Sequence, residues 1–129
     1  RLNEVGGNLH YERFKEAVIL PARQSQLPFS YRPFDCQTGQ FLAPICIPEH
    51  PCLIIEGVYS LHANFDSYAS LAILLCAGKE LQKERILARE SPAKAQQYFA
   101  RWIPLEEPYF KDGGLKKRVD LYLKTNFMD

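Results

Sequence analysis

The sequence predicts an α/β layer fold built on a parallel sheet, with a small antiparallel hairpin beside it. Three observations lead there. Two apolar runs, Leu53–Val58 and Leu71–Cys76, have the length and aliphatic content of strands buried on both faces. With a third run at 119–124 (VDLYLK), they alternate with charged stretches of helical period. Residues 27–50 carry Pro28, Pro33, Pro44 and Pro48 among alternating aromatics, which suits short edge strands and a hairpin better than helix.

Each element has a local cause. Gly6-Gly7-Asn8 signals a turn with Asn8 as a helix cap, and Tyr11, Phe14 and Val18 then recur at helical spacing. The expected helix runs from about His10 to Leu20 and ends at Pro21. Between the two apolar runs, HANFDSYAS has the composition of a turn. After Gly78, KELQKERILARE sets Leu81, Ile86 and Leu87 among charges, an amphipathic helix. Ser91-Pro92 is a cap followed by proline at the first helical position, opening a helix towards Ile103 that Pro104 would stop. KDGGLKKR breaks the pattern before the last strand. No internal repeat, low-complexity tract or domain linker is visible, and 129 residues make one domain.

Composition excludes some classes. A hydrophobic fraction of 47%, a charged fraction of 24% and a net charge of +1 are ordinary for a globular chain and give no general attraction to nucleic acid or membrane. No apolar stretch reaches the roughly 18 residues of a membrane span, and no signal-peptide pattern opens the sequence, so a cytoplasmic protein is expected. Cys36, Cys46, Cys52 and Cys76 lack CxxC spacing, and Cys52 and Cys76 fall in apolar runs, which predicts buried free thiols.

The chemistry concentrates at Glu56. A buried strand does not ordinarily finish on a charge, yet LIIEG does, and ligands in open α/β sheets gather beyond the carboxyl ends of strands. A carboxylate there can hold magnesium, or it can cap a turn or pair with an arginine. Arg85 and Arg89 are four apart on one helical face, a spacing that suits phosphate oxygens but equally suits salt bridges with Glu84 and Glu90. His10 could take a proton or simply lie at the helix start. His50 and His62 read as loop residues, and three scattered histidines make no metal-ligand pattern.

The ordered set GGNLHYERF, RPFDCQTGQF, LIIEGVYSLH, ERILARE, RWIPLEEPYF and VDLYL resembles the later two-thirds of bacterial uridine kinase-like proteins. These belong to the P-loop kinase group that also includes phosphoribulokinase and pantothenate kinase. The resemblance implies a P-loop kinase-like three-layer fold, incomplete here. It places Glu56 at the end of a Walker B-type strand near magnesium and phosphates, and makes 27–50 an acceptor-side hairpin with Phe34 and Asp35 holding base and ribose. Residues of about 79–108 become a helical lid whose Arg85 and Arg89, with Arg101 in a weaker role, contact the phosphates of ATP. Relatives often carry aspartate where this chain has His10 and polar residues where it has Gly39, which leaves the catalytic base unassigned.

No G-x-x-x-x-G-K-[ST] occurs; Gly113-Gly114-Leu115-Lys116 has the wrong spacing and precedes a strand. In the family that loop follows a first strand lying between the strands that end at Glu56 and Cys76. The sequence, opening at Arg1, therefore reads as part of a longer kinase, with an open gap in its sheet that would favour a homo-oligomer or pairing with another chain. Two functions are expected. The parent protein would transfer the ATP γ-phosphoryl group, with Mg2+, to a hydroxyl of a nucleoside or sugar-like acceptor such as uridine or cytidine, the chain alone being inactive. Alternatively, the chain is a non-catalytic binding or assembly module that keeps a kinase scaffold.

Overall fold

The computed structural model describes residues 4–7, 9–24 and 27–125. Asn8, the expected helix cap, lies outside the described residues. The chain is mixed α/β with small sheets and forms two compact units, His10–Tyr68 and Arg1–Leu9 with Ala69–Asp129.

The His10–Tyr68 unit opens with α1 (Tyr11–Phe14), a π segment (Lys15–Ile19) and α2 (Leu20–Arg23), running on without a break. Pro21 does not stop this helix. A proline lacks the N–H and crowds the carbonyl of an α-helical turn; here the preceding turn is widened, with Leu20 N–H donating to Lys15 O. Four short strands follow: β1 (Phe29–Tyr31), β2 (Phe34–Asp35), β3 (Gln40–Phe41) and β4 (Ile45–Ile47). β1 pairs antiparallel with β4 and β2 with β3, so the expected hairpin exists as two nested ladders. The break falls at Pro33 and Pro44, neither of which can donate to a ladder. The core of the unit is aromatic: Phe65 has no exposed surface and meets Phe14, Tyr11 and Tyr68 with ring centroids 5.3, 5.6 and 6.4 Å away. Phe65 sits in a 3-10 turn, Ala63–Phe65, inside the segment expected to be only a connecting turn.

Leu53–Val58 corrects the sequence prediction most plainly. The segment is not a strand and joins no ladder among the described residues, and Ile54 is 84% exposed. Aliphatic content makes a strand possible; a neighbour that takes its backbone hydrogen bonds makes it real.

The other unit contains β5 (Ile73–Cys76), α3 (Lys79–Arg89), α4 (Pro92–Gln97), a π segment (Tyr98–Trp102), α5 (Ile103–Lys111), α6 (Gly113–Lys117) and β6 (Leu121–Lys124). β5 and β6 pair in parallel, Ile73 opposite Leu121 and Cys76 opposite Lys124, joined by the helical crossover that parallel strands require. Asp120 pins the start of the pair, its Oδ2 accepting Ala72 N–H at 2.7 Å while its own N–H donates to Ala72 O at 2.8 Å. Pro92 opens α4 as expected, but Pro104 fails to stop the helix for the reason seen at Pro21: the preceding turn is widened, Ile103 N–H donating to Tyr98 O. The KDGGLKKR break is confined to Asp112, which accepts Gly114 N–H and starts α6.

Ala72, Leu74, Ile86, Ala95, Tyr109 and Leu115 are the buried hydrophobic residues of this unit among the described residues. The opposite face of the β5–β6 pair is open: Leu71, Ile73, Leu75, Leu121 and Leu123 are all exposed. The two-face burial expected for β5 is therefore corrected to burial on one face. The four cysteines are free, but Cys36, Cys46 and Cys52 are exposed and only Cys76 is partly covered. Cys36 is in the hairpin turn, Cys46 on an outward position of β4, and Cys52 in the unpaired stretch, so none has an apolar layer over it. No helix among the described residues is long and apolar enough to cross a membrane.

Candidate functional site

A parallel pair with a helical crossover concentrates function at the carboxyl ends of its strands, because helix starts and strand-end loops converge there. In this chain that end is capped by a chain of hydrogen bonds. Thr125, one residue past β6, donates its N–H to Cys76 O at 2.7 Å and its hydroxyl to the same carbonyl at 3.1 Å. Arg85, on α3, donates Nη1 to the Thr125 hydroxyl oxygen at 3.3 Å. Its guanidinium is thereby held at the strand ends, and among the described residues no carboxylate pairs with it.

Arg89, one turn further on, has taken the salt-bridge role. Its Nε lies 3.0 Å from Glu90 Oε1, and Lys94 Nζ lies 2.9 Å from Glu90 Oε2. The bonded Lys94, with Arg89 behind it, holds the Glu90 carboxyl below the usual carboxylate range. The Arg89 guanidinium also stands 5.9 Å from the Tyr98 ring centroid. Arg101 stands 5.0 Å from the Trp102 ring, and Trp102 is half-buried.

Glu56 belongs to the other unit, on the exposed extended segment, and is followed by a tight turn in which Ser60 N–H donates to Gly57 O at 3.1 Å. Among the described residues no three His, Cys, Asp or Glu side chains converge as metal ligands.

Phe34 and Asp35 form β2, in the inner ladder of the hairpin beside its turn. Phe34 is 47% exposed and packs edge-on against Phe41 at 5.2 Å, leaving part of its ring free to stack. Asp35 is committed to the turn: Oδ1 accepts Gln37 N–H and Oδ2 accepts the Thr38 hydroxyl, each at 2.8 Å. The Gln37 bond above all, then Thr38, pulls its carboxyl below the ordinary range. The turn closes with Gly39 N–H on Asp35 O at 2.8 Å, and Gly39 takes φ +69°, a conformation that favours glycine. A polar residue there would need to be one that tolerates that conformation.

His10 is an exposed cap whose Nδ1 accepts Arg13 N–H at 3.3 Å; His62 caps the Ala63–Phe65 turn in the same way, accepting Asn64 N–H at 3.2 Å. Sequence reasoning missed Arg13 and Arg32, which the fold brings to one ring, Phe41. Nothing local marks them, because they are 19 residues apart and meet only when the hairpin closes on the helix.

Comparison with models of protein families, with curated proteins and with solved structures gave no match.

Proposed function

We propose that the chain is the acceptor and lid portion of an ATP-dependent small-molecule kinase of the uridine kinase-like P-loop group. The reaction is transfer of the ATP γ-phosphoryl group to an acceptor hydroxyl, with uridine or cytidine as the acceptors that the resemblance names. The supporting observation is the Arg85 guanidinium, bonded to Thr125 at the carboxyl ends of a parallel strand pair and unpaired with any described carboxylate. Phosphoryl transfer needs little covalent help from the protein; positioning and charge neutralisation carry it. Arg85 would draw on the phosphates, with Arg89 behind it and Arg101 at the lid end. Glu56 would supply one carboxylate to magnesium. Phe34 would stack on a planar acceptor group, while Asp35 shapes the turn that presents it. The 129 residues contain no glycine-rich lysine loop, so the reading assigns that loop to polypeptide outside them and expects the chain alone to be inactive.

The test joins the chain to whatever is encoded ahead of Arg1 and assays ATP-dependent phosphorylation of uridine and cytidine. Calorimetry on the 129 residues alone is expected to show no micromolar ATP-magnesium binding; such binding, if retained in Arg13→Gln, would contradict the missing phosphate site.

A second reading, a non-catalytic assembly module on a kinase scaffold, draws on a different observation: the open apolar face of Leu71, Ile73, Leu75, Leu121 and Leu123. Parallel sheets are ordinarily covered on both faces, and a partner would cover this one. Retained phosphotransfer in the extended chain would count against it.

A further inference from the structure

The His10–Tyr68 unit holds an open cleft of about 430 Å3 whose lining includes Arg13 from α1 and Ser30, Tyr31, Arg32, Phe41 and Pro44 from the hairpin. Two guanidinium groups stand at one ring: Arg13 Cζ is 4.1 Å and Arg32 Cζ 5.6 Å from the Phe41 centroid. Carbonyls hold them there. Arg13 Nη2 donates to Arg32 O, while Arg32 donates Nε to Leu42 O at 3.0 Å and Nη2 to Phe41 O at 3.3 Å. Among the described residues neither arginine has a carboxylate partner. Each guanidinium offers five N–H donors, so donors remain beyond these bonds. Two like charges gathered at one aromatic ring repel each other, and a carbonyl offers only a partial charge in return. A group carrying a full negative charge and two or more acceptor oxygens satisfies both.

We propose that this cleft is an oxyanion subsite that takes the phosphate or carboxylate group of a small molecule, with the molecule's apolar or planar body against Tyr31, Phe41 and Pro44. The binding claim stands on this cleft alone.

The experiment is equilibrium binding to the 129-residue chain without ATP, so its failure is separable from failure of a kinase assay. At constant chloride, inorganic phosphate, phenyl phosphate and benzoate are titrated while the arginine Nε–Hε resonances and the heat are followed. Saturable binding that moves Arg13 and Arg32 is expected, with phenyl phosphate about fivefold or more tighter than inorganic phosphate because of the apolar wall. Benzoate against phenyl phosphate tells a carboxylate ligand from a phosphate one. Arg13→Gln and Arg32→Gln should each weaken binding by roughly tenfold or more, and Arg118→Gln, which removes an exposed arginine of the other unit, should leave it unchanged. Because the two arginines also brace the hairpin, Pro44→Asp provides a variant that leaves both in place: a carboxylate at the rim should compete and abolish binding while the amide spectrum stays folded. Shifts that do not saturate, equal loss in Arg118→Gln, or undiminished binding in folded Pro44→Asp would overturn the proposal.

Discussion

The Arg85 guanidinium donates to the Thr125 hydroxyl oxygen at 3.3 Å, and that hydroxyl donates onward to Cys76 O, so one helix and both parallel strands meet at a single threonine. Arg89, four residues on, is instead tied to Glu90 at 3.0 Å. The two arginines should therefore differ in function. In the extended, active chain, Arg85→Gln is expected to lower kcat by about a hundredfold or more, the usual scale for removing one positioned donor to transition-state charge. Arg89→Gln should cost less than about tenfold, since its charge is already partly spent on Glu90. Steady-state kinetics on both variants decide this, and equal losses would contradict the assignment.

Two adjacent glutamates on α5 should respond to pH in opposite senses. Lys79 and Lys111 bond the Glu107 carboxylate at 2.8 and 2.9 Å and bring its pKa down to about 2 from 4.5. Depressed in the folded state, Glu107 contributes stability above its unfolded value that is lost as pH falls towards its folded one. Burial pushes the Glu106 carboxyl up, so its ionised form opposes folding, and that penalty grows as pH rises through the ordinary glutamate value. Glu107→Gln should lower Tm at pH 7, with the difference closing near pH 2. Glu106→Gln should raise Tm at pH 7 and have no effect in acid below the normal carboxylate range. Thermal melts of both variants across that range check the signs.

Asp35 ties down its own turn through Gln37 N–H and the Thr38 hydroxyl. Asp35→Ala should speed amide hydrogen exchange at Gln37 and Gly39 several-fold while leaving the β5–β6 amides unchanged, because the effect is local opening of one hairpin. Any loss of acceptor affinity in this variant should be matched by that loosening; affinity lost with exchange unchanged would instead give Asp35 a direct ligand contact.

What was legible from residues alone depended on how local its cause is. β5, β6 and α3 follow from apolar period, and α4 from proline at its first position, whereas Ser91, the expected cap, makes no side-chain capping bond. Pro21 and Pro104 misled because a stop rule assumes α-helical register, whereas a widened turn removes the clash. Leu53–Val58 misled because a strand is a relation between two segments and residue type reports only one of them. The aromatic core around Phe65 was hidden in a polar, turn-like segment, where single aromatics carry no period. At the candidate site, helical spacing put Arg85 and Arg89 on one face but could not separate the arginine bonded to threonine from the one held by glutamate. The Arg13–Arg32 pair, made by tertiary closure, left no sequence signal.

Phe65 gives the clearest stability prediction. It is wholly buried among Tyr11, Phe14 and Tyr68, and truncation leaves a cavity ringed by aromatics that cannot collapse without losing their own contacts. Phe65→Ala should cost about 3–5 kcal/mol and Phe65→Leu considerably less. Chemical denaturation followed by tyrosine fluorescence measures both, and a loss under about 1 kcal/mol for alanine would show that this cluster is not the unit's core.

The open face of the β5–β6 pair carries the last prediction. In a parallel pair, alternate residues of a strand send their N–H and C=O to opposite edges. Ala72 and Cys76 face β6, where their carbonyls accept Leu121 N–H and Thr125 N–H, so Ile73 and Leu75 turn their backbone groups to the other edge, which joins no ladder among the described residues. The side chains of Ile73 and Leu75 share their face with Leu121 and Leu123, and Leu75 is 62% exposed. An unpaired edge next to an apolar face is what a further strand or another chain covers. The isolated chain should therefore self-associate at micromolar to millimolar concentration. Leu75→Lys should suppress this while changing monomer stability by less than about 0.5 kcal/mol, because the side chain lies on the solvent face. Sedimentation velocity at several concentrations tests it: a wild-type chain that stays monomeric throughout, or a Leu75→Lys variant that associates as strongly, would show that this face needs no cover.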